Sequence, residues 1–341
     1  MSMLDGDMAR MLADSVAAYT RGPASIDPVV EMHDQGWLQC ALPEDIGGLG
    51  FGPDAAAIIA GGLARSCRAE PVSATYLAAR LLALVAPGSA AARELGEEGR
   101  TVGLIHHGGV KVQAARLTGT AGHVPPAQTY LVVAEGALFA LPAATIKTLA
   151  SRRVDGVTLE VATFANTEAE RIAEGAVLEA ALRQALAETR LVIAAELMAH
   201  VDVMLDLTLE HLRTRQQFGQ SLGHFQALQH KAVDLYGQTL VSRAVLDAAI
   251  ARAAEGMAPD DLDRTAYRAR ARLNDTAMAT AKGAIQMFGA LGITEESPLA
   301  PHIKRVLAMV PWLGTSVELR RQYARLGRVL TRSTAAKDTA A

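Results

Sequence analysis

The hydrophobic and polar positions change period twice along the chain. Up to about Arg100, apolar residues recur at helical spacing in short stretches, as in DPVVEMHDQGWLQCALPEDIGGLGFGPDAAAIIAGGLARSC. That spacing predicts short amphipathic helices, with PEDIGGLGFGP as a glycine-rich loop between two of them. From about 101 to 168 the pattern turns to short β-type runs separated by Gly and Pro: TVGLIHH, VKVQAARLTG, TYLVVAEGALFALP and GVTLEVATF. They predict a small antiparallel sheet domain. No strand–helix alternation follows, which argues against a TIM barrel or a doubly wound sheet.

Beyond 169 the pattern is helical again. EGAVLEAALRQALAETRLVIAAELMAHVDVMLDLTLEHLRTR reads as one helix of about 40 residues, far longer than the usual three or four turns. FQALQHKAVDLYGQTLVSRAVLDAAIARAAEG follows, ending at Gly256 as a helix cap. DDLDRTAYRARARLNDTAMATAKGAIQMFGALG and TSVELRRQYARLGRVL complete a four-helix bundle, and STAAKDTAA reads as a disordered tail. Long antiparallel helices with apolar faces on two sides commonly pair across subunits, so an oligomer is expected.

Composition narrows the class. Half of the 341 residues are hydrophobic but only 4% are aromatic, so the core is built from Ala, Leu, Val, Ile and Met, as in close-packed helices. A net charge of -3 leaves no electrostatic footprint for nucleic acid or an anionic membrane. Cys40 and Cys67 form no CxxC pair or other metal-ligand spacing, and a reduced, cytoplasmic protein is expected. The start, MSMLDGDMARMLADSV, has no basic region followed by an apolar one, and no apolar run approaches membrane-spanning length.

Several polar groups have plain structural readings. His106 and His107 adjoin a glycine pair with no carboxylate or cysteine at ligand spacing, so no metal site is expected. PEDIGGLGFGP lacks the Lys-Ser/Thr and the preceding strand of a phosphate loop. The arginines of YRARARL are expected on a solvated face. Thr315 and Glu318 form a capping box, in which hydroxyl and carboxylate satisfy the unpaired amides of a helix start.

RTRQQFGQSLGHFQALQHK is denser in chemistry than a connecting loop requires. Arg215 offers a planar fork suited to a diphosphate, Phe218 and Phe225 could flank an adenine, and glutamines could reach its edges. QMFGALGITEESP has similar traits, with Gln286 at a helix end followed by Gly289 and Gly292, which permit close backbone approach.

These segments resemble a known family. RTRQQFGQSLGHFQALQHK is similar to the acyl-CoA dehydrogenase signature in which an Arg, three residues before Phe-Gly, is followed by Phe-Gln and a second Gln. AIQMFGALGITEESPLAPHIKRVLAMVPWLGTS resembles the same family's C-terminal signature without a gap, and PEDIGGLGFG resembles its N-terminal helical loop. The resemblance implies a mainly α fold: an N-terminal helical domain at 1–100, a reduced β-domain at 101–168, a long four-helix bundle at 169–332 and a tail at 333–341. It also implies FAD at a subunit interface. On that pattern Arg215 matches the pyrophosphate-binding arginine, and Phe218, Gln226, Gln286, Gly289 and Thr315 match positions around the ADP half. Gln217 occupies a neighbouring contact position with a less characteristic residue, and Ala290 replaces the second glycine of a pair.

The resemblance also exposes two departures. The family's α-proton is taken by a carboxylate, usually a glutamate just before the Gly-Thr of the last-helix turn; here that position is Leu313. The alternative position on the first long helix is Thr189, and Glu188 beside it is rotated by about 100°. No catalytic residue is therefore expected on this chain. The family's Thr-Glu-Pro…Gly-Ser-Asp and Trp-x-Ser/Thr stretches, which hold the flavin ring, are missing from 101–168.

Together these features resemble the short subunit of heteromeric (α2β2) acyl-CoA dehydrogenases associated with bulky acyl-CoA esters such as steroid side chains. The resemblance implies a larger partner that supplies the base, the flavin-ring site and most of the acyl-CoA site, with an electron-transferring flavoprotein as acceptor. The alternatives are a homotetrameric enzyme with a displaced base, Glu188 or Glu210, or a non-catalytic scaffold of the same fold.

Overall fold

The structure, a computed structural model, describes residues 4–23, 27–67 and 71–338. Five short helices come first: α1 (Gly6–Arg21), α2 (Pro28–Asp34), α3 (Pro53–Ala64), α4 (Val72–Val85) and α5 (Ala90–Gly96). Four of the five helix starts have a local cause. Asp5, Asp27 and Ser89 accept hydrogen bonds from first-turn amides of α1, α2 and α5, and Pro53 stands in the first turn of α3. The PEDIGGLGFGP segment is indeed an inter-helix loop, and a Cβ on Gly48 would lie 2.1 Å from the Leu42 carbonyl oxygen, which only glycine avoids.

Eight strands follow: β1 (Val102–Ile105), β2 (Lys111–Gln113), β3 (Arg116–Val124), β4 (Thr129–Ala134), β5 (Ala137–Pro142), β6 (Lys147–Arg152), β7 (Thr158–Glu168) and β8 (Glu170–Glu174). They form two four-stranded sheets, ordered β1-β4-β5-β8 and β2-β3-β7-β6. All pairings are antiparallel except β1–β4, which is parallel. Expectation and structure differ here in three ways. The parallel pair was not foreseen; β6 and β8 were not either; and strands run to Glu174 rather than 168. KTLASR and ERIAE lie largely at the surface, so no apolar alternation marks them in the sequence.

The first sheet is covered on both faces. Tyr130, Val132, Phe139 and Leu141 pack toward the second sheet with Leu117 and Phe164, whereas Leu131 and Leu138 pack toward α4 and the next helix. This two-sided burial explains why TYLVVA and ALFAL read as nearly continuous apolar runs.

The rest is a bundle: α6 (Gly175–Thr214), a two-strand ribbon of β9 (Gln216–Gln217) and β10 (Gln220–Ser221), α7 (Gln226–Glu255), α8 (Pro259–Phe288), α9 (Ala300–Met309) and α10 (Ser316–Asp338). The predicted 40-residue helix is α6, at that length. It is the spine of the molecule, with Leu178 and Val192 facing the N-terminal helices, Ala187 and Leu191 facing α7 and α8, and Leu197 and Met204 facing α8 and α9. Helix α10 continues to Asp338, six residues into the expected disordered tail; residues 339–341 lie outside the described residues.

Buried ion pairs fasten α6 to its surroundings. Arg305 of α9 donates to Glu196 at 2.7 Å and to Asp155 of the β6–β7 turn at 3.0 Å. Arg80 of α4 holds Glu188 with two bonds, at 2.7 and 3.1 Å, and Tyr76 adds a third at 2.9 Å. Arg270, expected on a solvated face, is fully buried, because residues two apart on a helix point to different sides. Among the described residues no helix is long and apolar enough to cross a membrane.

Candidate functional site

Two places in the fold hold the residues singled out by sequence. The first is the end of the bundle where α6, α7 and α8 meet. The ribbon between α6 and α7 turns on Phe218 and Gly219, with φ of 53° and 79° and Gln217 paired with Gln220. Two consecutive positive φ values make a type I′ turn, which glycine adopts freely and phenylalanine does not. Phe218 is nevertheless 87% exposed, touching Phe225 edge-on with ring centroids 6.1 Å apart. A bulky apolar side chain held at a disfavoured φ and left in solvent does no packing work within the chain.

The neighbouring groups share that orientation to solvent. Arg215, Gln217, Gln226, Gln286 and Gly289 are all exposed. The Arg215 carbonyl receives the Leu222 amide at 2.9 Å, which closes the ribbon's base. His211, one turn earlier on α6, stacks on Phe288 at the end of α8, with centroids 4.1 Å apart and planes 13° from parallel. This stack ties the Arg215 end of α6 to the Gln286–Gly289 end of α8. Burial, and then the nearby Arg215 charge, lower the His211 pKa, so the ring stays neutral and stacks without a charge. Gly289 has φ 65° and ψ -139°, open to glycine alone, and a Cβ there would meet nothing within 4 Å. Glycine is thus required by the backbone, and the space beside it is free for a ligand.

Thr315 does not join this group. It starts α10, beside the middle of α8, where Asn274 donates to the Gly314 carbonyl at 3.2 Å. Twelve residues of α8 separate Asn274 from Gln286, a distance of about 18 Å. The expected capping box is present: the Thr315 amide donates to the Glu318 carboxylate at 2.9 Å and the Glu318 amide to the Thr315 hydroxyl at 3.4 Å.

The second place is the turn between α9 and α10, Pro311-Trp312-Leu313-Gly314. Helix α9 leaves its last carbonyls without intrahelical partners, and buried side chains satisfy them. Arg270 donates to Met309 at 2.7 Å and Trp312 at 3.2 Å, Asn274 to Val310 at 3.2 Å, and Arg190 to Leu313 at 3.0 Å. Arg270 also bonds the Asn274 amide oxygen. Desolvation pulls the Arg270 pKa down to about 9 and lowers that of Arg190, which lies 5.1 Å over the Tyr267 ring. Leu313 sits at φ 55°, another disfavoured value for a branched side chain, and the clamped carbonyls hold it there.

Among the described residues no carboxylate is hydrogen-bonded to Pro311, Trp312, Leu313 or Gly314. Thr189 is buried and bonds back to the Ala185 carbonyl at 2.7 Å. Glu188 is engaged by Arg80 and Tyr76, and Glu210 lies twenty residues along α6 from Arg190, about 30 Å away. His106, at the end of β1, is held at a pKa of about 4 by burial and by the charges of His107 and Arg190. A cavity of about 660 Å³ opens beside the turn, lined by Ser73, Thr101, Arg153, Met309 and Trp312. The clamp formed by Arg190, Arg270 and Asn274 was missed in the sequence. A lone arginine inside the apolar stretch AETRLVIAAEL was its one available signal.

With this geometry in view, the comparisons with known proteins are informative. The family model described as "Acyl-CoA dehydrogenase, C-terminal domain" matches residues 178–327. Acyl-CoA dehydrogenase IpdE2 of Mycobacterium tuberculosis is 27% identical over 92% of this chain and 95% of its own. Acyl-CoA dehydrogenase FadE34 of the same organism is 29% identical over 85% of this chain, which spans only 40% of that relative's length. Among solved structures, a variant of the Tcur3481-Tcur3483 steroid acyl-CoA dehydrogenase superposes with a TM-score of 0.79 at 24% identity, covering 96% of each chain. The chain thus has the acyl-CoA dehydrogenase fold, and its residues 178–327, on α6–α10, match that family's C-terminal domain.

Proposed function

We propose that this chain is the short subunit of a heteromeric, FAD-dependent acyl-CoA dehydrogenase. Its part is to present Arg215, Gln217, Phe218, Gln226, Gln286 and Gly289 to the ADP half of the flavin. A larger partner, in an α2β2 assembly, supplies the carboxylate base, the flavin-ring site and most of the acyl-CoA site. The reaction is α,β-dehydrogenation of an acyl-CoA thioester, with a bulky or steroid side-chain acyl group. A cytoplasmic location and an electron-transferring flavoprotein as acceptor belong to the same reading.

The contrast between the two places carries the proposal. At the bundle end, an arginine, a strained phenylalanine, glutamines and a glycine with open space beside it all face solvent. That donor set fits a diphosphate and an adenine edge. Bound flavin would accept the substrate's β-hydrogen as hydride, leaving the α-proton to a carboxylate. At the turn where that carboxylate belongs, this chain has Leu313, a self-bonded Thr189 and the half-buried cation Arg190. A guanidinium has no lone pair to accept a proton. Thr315 is too far from Gln286 to serve the same end of one ligand, so it would act only toward a second flavin or another stretch of the same one.

The partner surface has its own support. Val233, Tyr236 and Leu240 leave half or more of their surface exposed, at spacings that align them along α7. An exposed apolar stripe of this kind suits a helix of another subunit.

The test compares acyl-CoA dehydrogenation by this chain, by its larger partner and by the co-purified assembly. Activity in the assembly, and none from this chain alone, is the expected outcome. Full activity from this chain alone would overturn the reading.

A further inference from the structure

A cluster of soft and nitrogen donors lies away from both places, where the segment after α3 meets α6 and α9. Cys67, His200 and His302 each offer one ligand atom, and the three atoms lie within 4.8 Å of one another. His200 and His302 are 1% and 6% exposed, with their Nδ1 atoms 2.9 Å apart and ring centroids 5.2 Å apart. Cys67 is partly exposed, is not in a disulfide, and sits at φ 53°.

We propose that Cys67, His200 and His302 form a three-ligand site for a zinc ion. This inference is independent of the flavin reading, and it departs from the expectation of no metal site.

A hydrogen bond between the two rings explains their contact only in part. One ring donates through Nδ1 and the other accepts, yet His200 Nε2 is buried without a hydrogen-bond partner among the described residues. One thiolate and two imidazoles are a donor set suited to zinc, which binds sulfur at about 2.3 Å and nitrogen at about 2.0–2.1 Å. Those bond lengths place tetrahedral donors about 3.3–3.6 Å apart, between the 2.9 Å that separates the two Nδ1 atoms and the 4.8 Å that bounds the cluster.

The surroundings tolerate the ion. Arg305, whose charge reaches His200, is neutralised by Glu196 and Asp155 at 2.7 and 3.0 Å. Arg65, whose charge reaches His302, lies 3.7 Å from Asp202. A cleft of about 450 Å³, with Cys67, Asp155, Pro301 and Lys304 in its walls, offers an entry path and room for a fourth ligand from solvent. On binding, the Cys67 S–H proton passes to water and a zinc–sulfur bond forms; the ring that donated through Nδ1 carries its proton on Nε2 instead, so that two zinc–nitrogen bonds replace the ring–ring hydrogen bond.

The full chain, stripped with a chelator, is titrated with Zn²⁺ against a chromophoric competitor, and separately with Co²⁺. The expected result is one ion per chain and a thiolate-to-cobalt charge-transfer band. Both are lost in Cys67→Ser and in His302→Gln, while melting of the zinc-free variants shows that the fold persists. Binding that survives in both variants, or a Co²⁺ spectrum without the thiolate band, would overturn the proposal. Should His302→Gln not fold, Cys67→Ser decides alone, since a partly exposed sulfur-to-oxygen change leaves the packing intact.

Discussion

Leu313 carries the main argument at the scale of single residues. Its φ of 55° and the Arg190 bond to its carbonyl mark a backbone geometry held in place although the side chain has no proton to take. Leu313→Glu should add no dehydrogenation turnover, alone or in the assembly; a measurable gain would mean that the cavity beside the turn is still a working acyl site. Arg215→Ala removes a charge-assisted contact to the diphosphate and should weaken flavin retention in the assembled complex by about 1.5–3 kcal/mol. Equal flavin occupancy in wild type and variant, measured by absorbance after gel filtration, would remove Arg215 from the site. His106 gives a pH signature. Its pKa is about 4 when folded and about 6.5 when unfolded, so the unfolded chain takes up the proton first as pH falls. The stability from this neutral ring is complete above the unfolded value and is lost between about pH 6.5 and 4, by up to about 2 kcal/mol at pH 5. Denaturant melts of His106→Gln should show a shallower decline over that window than wild type.

Elements differ in how plainly the sequence announced them. Helix α6 was legible because forty residues without proline carry apolar positions on several sides, which suits a helix buried all round. β6 and β8 were not, since an exposed polar strand has no period to detect. The ribbon of β9 and β10 was read as chemistry rather than structure, and its turn shows why both apply. Phe218→Asn places a residue tolerant of positive φ at that turn and should raise stability by up to about 1–2 kcal/mol while flavin retention falls. A fall in stability instead would mean that Phe218 packs against its own chain. The α9–α10 turn depends on its clamp. Asn274→Ala strips the Val310 and Gly314 carbonyls of donors and leaves Arg270 without its amide partner, which should cost about 2–4 kcal/mol in a thermal or denaturant melt.

At the scale of the molecule, motif order along the chain was enough to reach the fold and the resemblance to the family, because the signatures sit on contiguous stretches of α6 to α10. Assembly in space was less legible. Thr315 and Gln286 both fall on signature segments, yet twelve residues of α8, about 18 Å, separate Gln286 from the level of Thr315. Cys67, His200 and His302 meet although more than a hundred residues lie between each pair along the chain, and no spacing rule anticipates that. The exposed stripe on α7 and the solvent-facing ligands at the bundle end both direct attention to a second chain. Protein-bound flavin per chain is therefore the measurement to make, by absorbance, on this chain alone and on the assembly with its larger partner. Little flavin alone and about one FAD for every two chains assembled is the predicted result. A full complement of flavin on this chain alone would contradict the account.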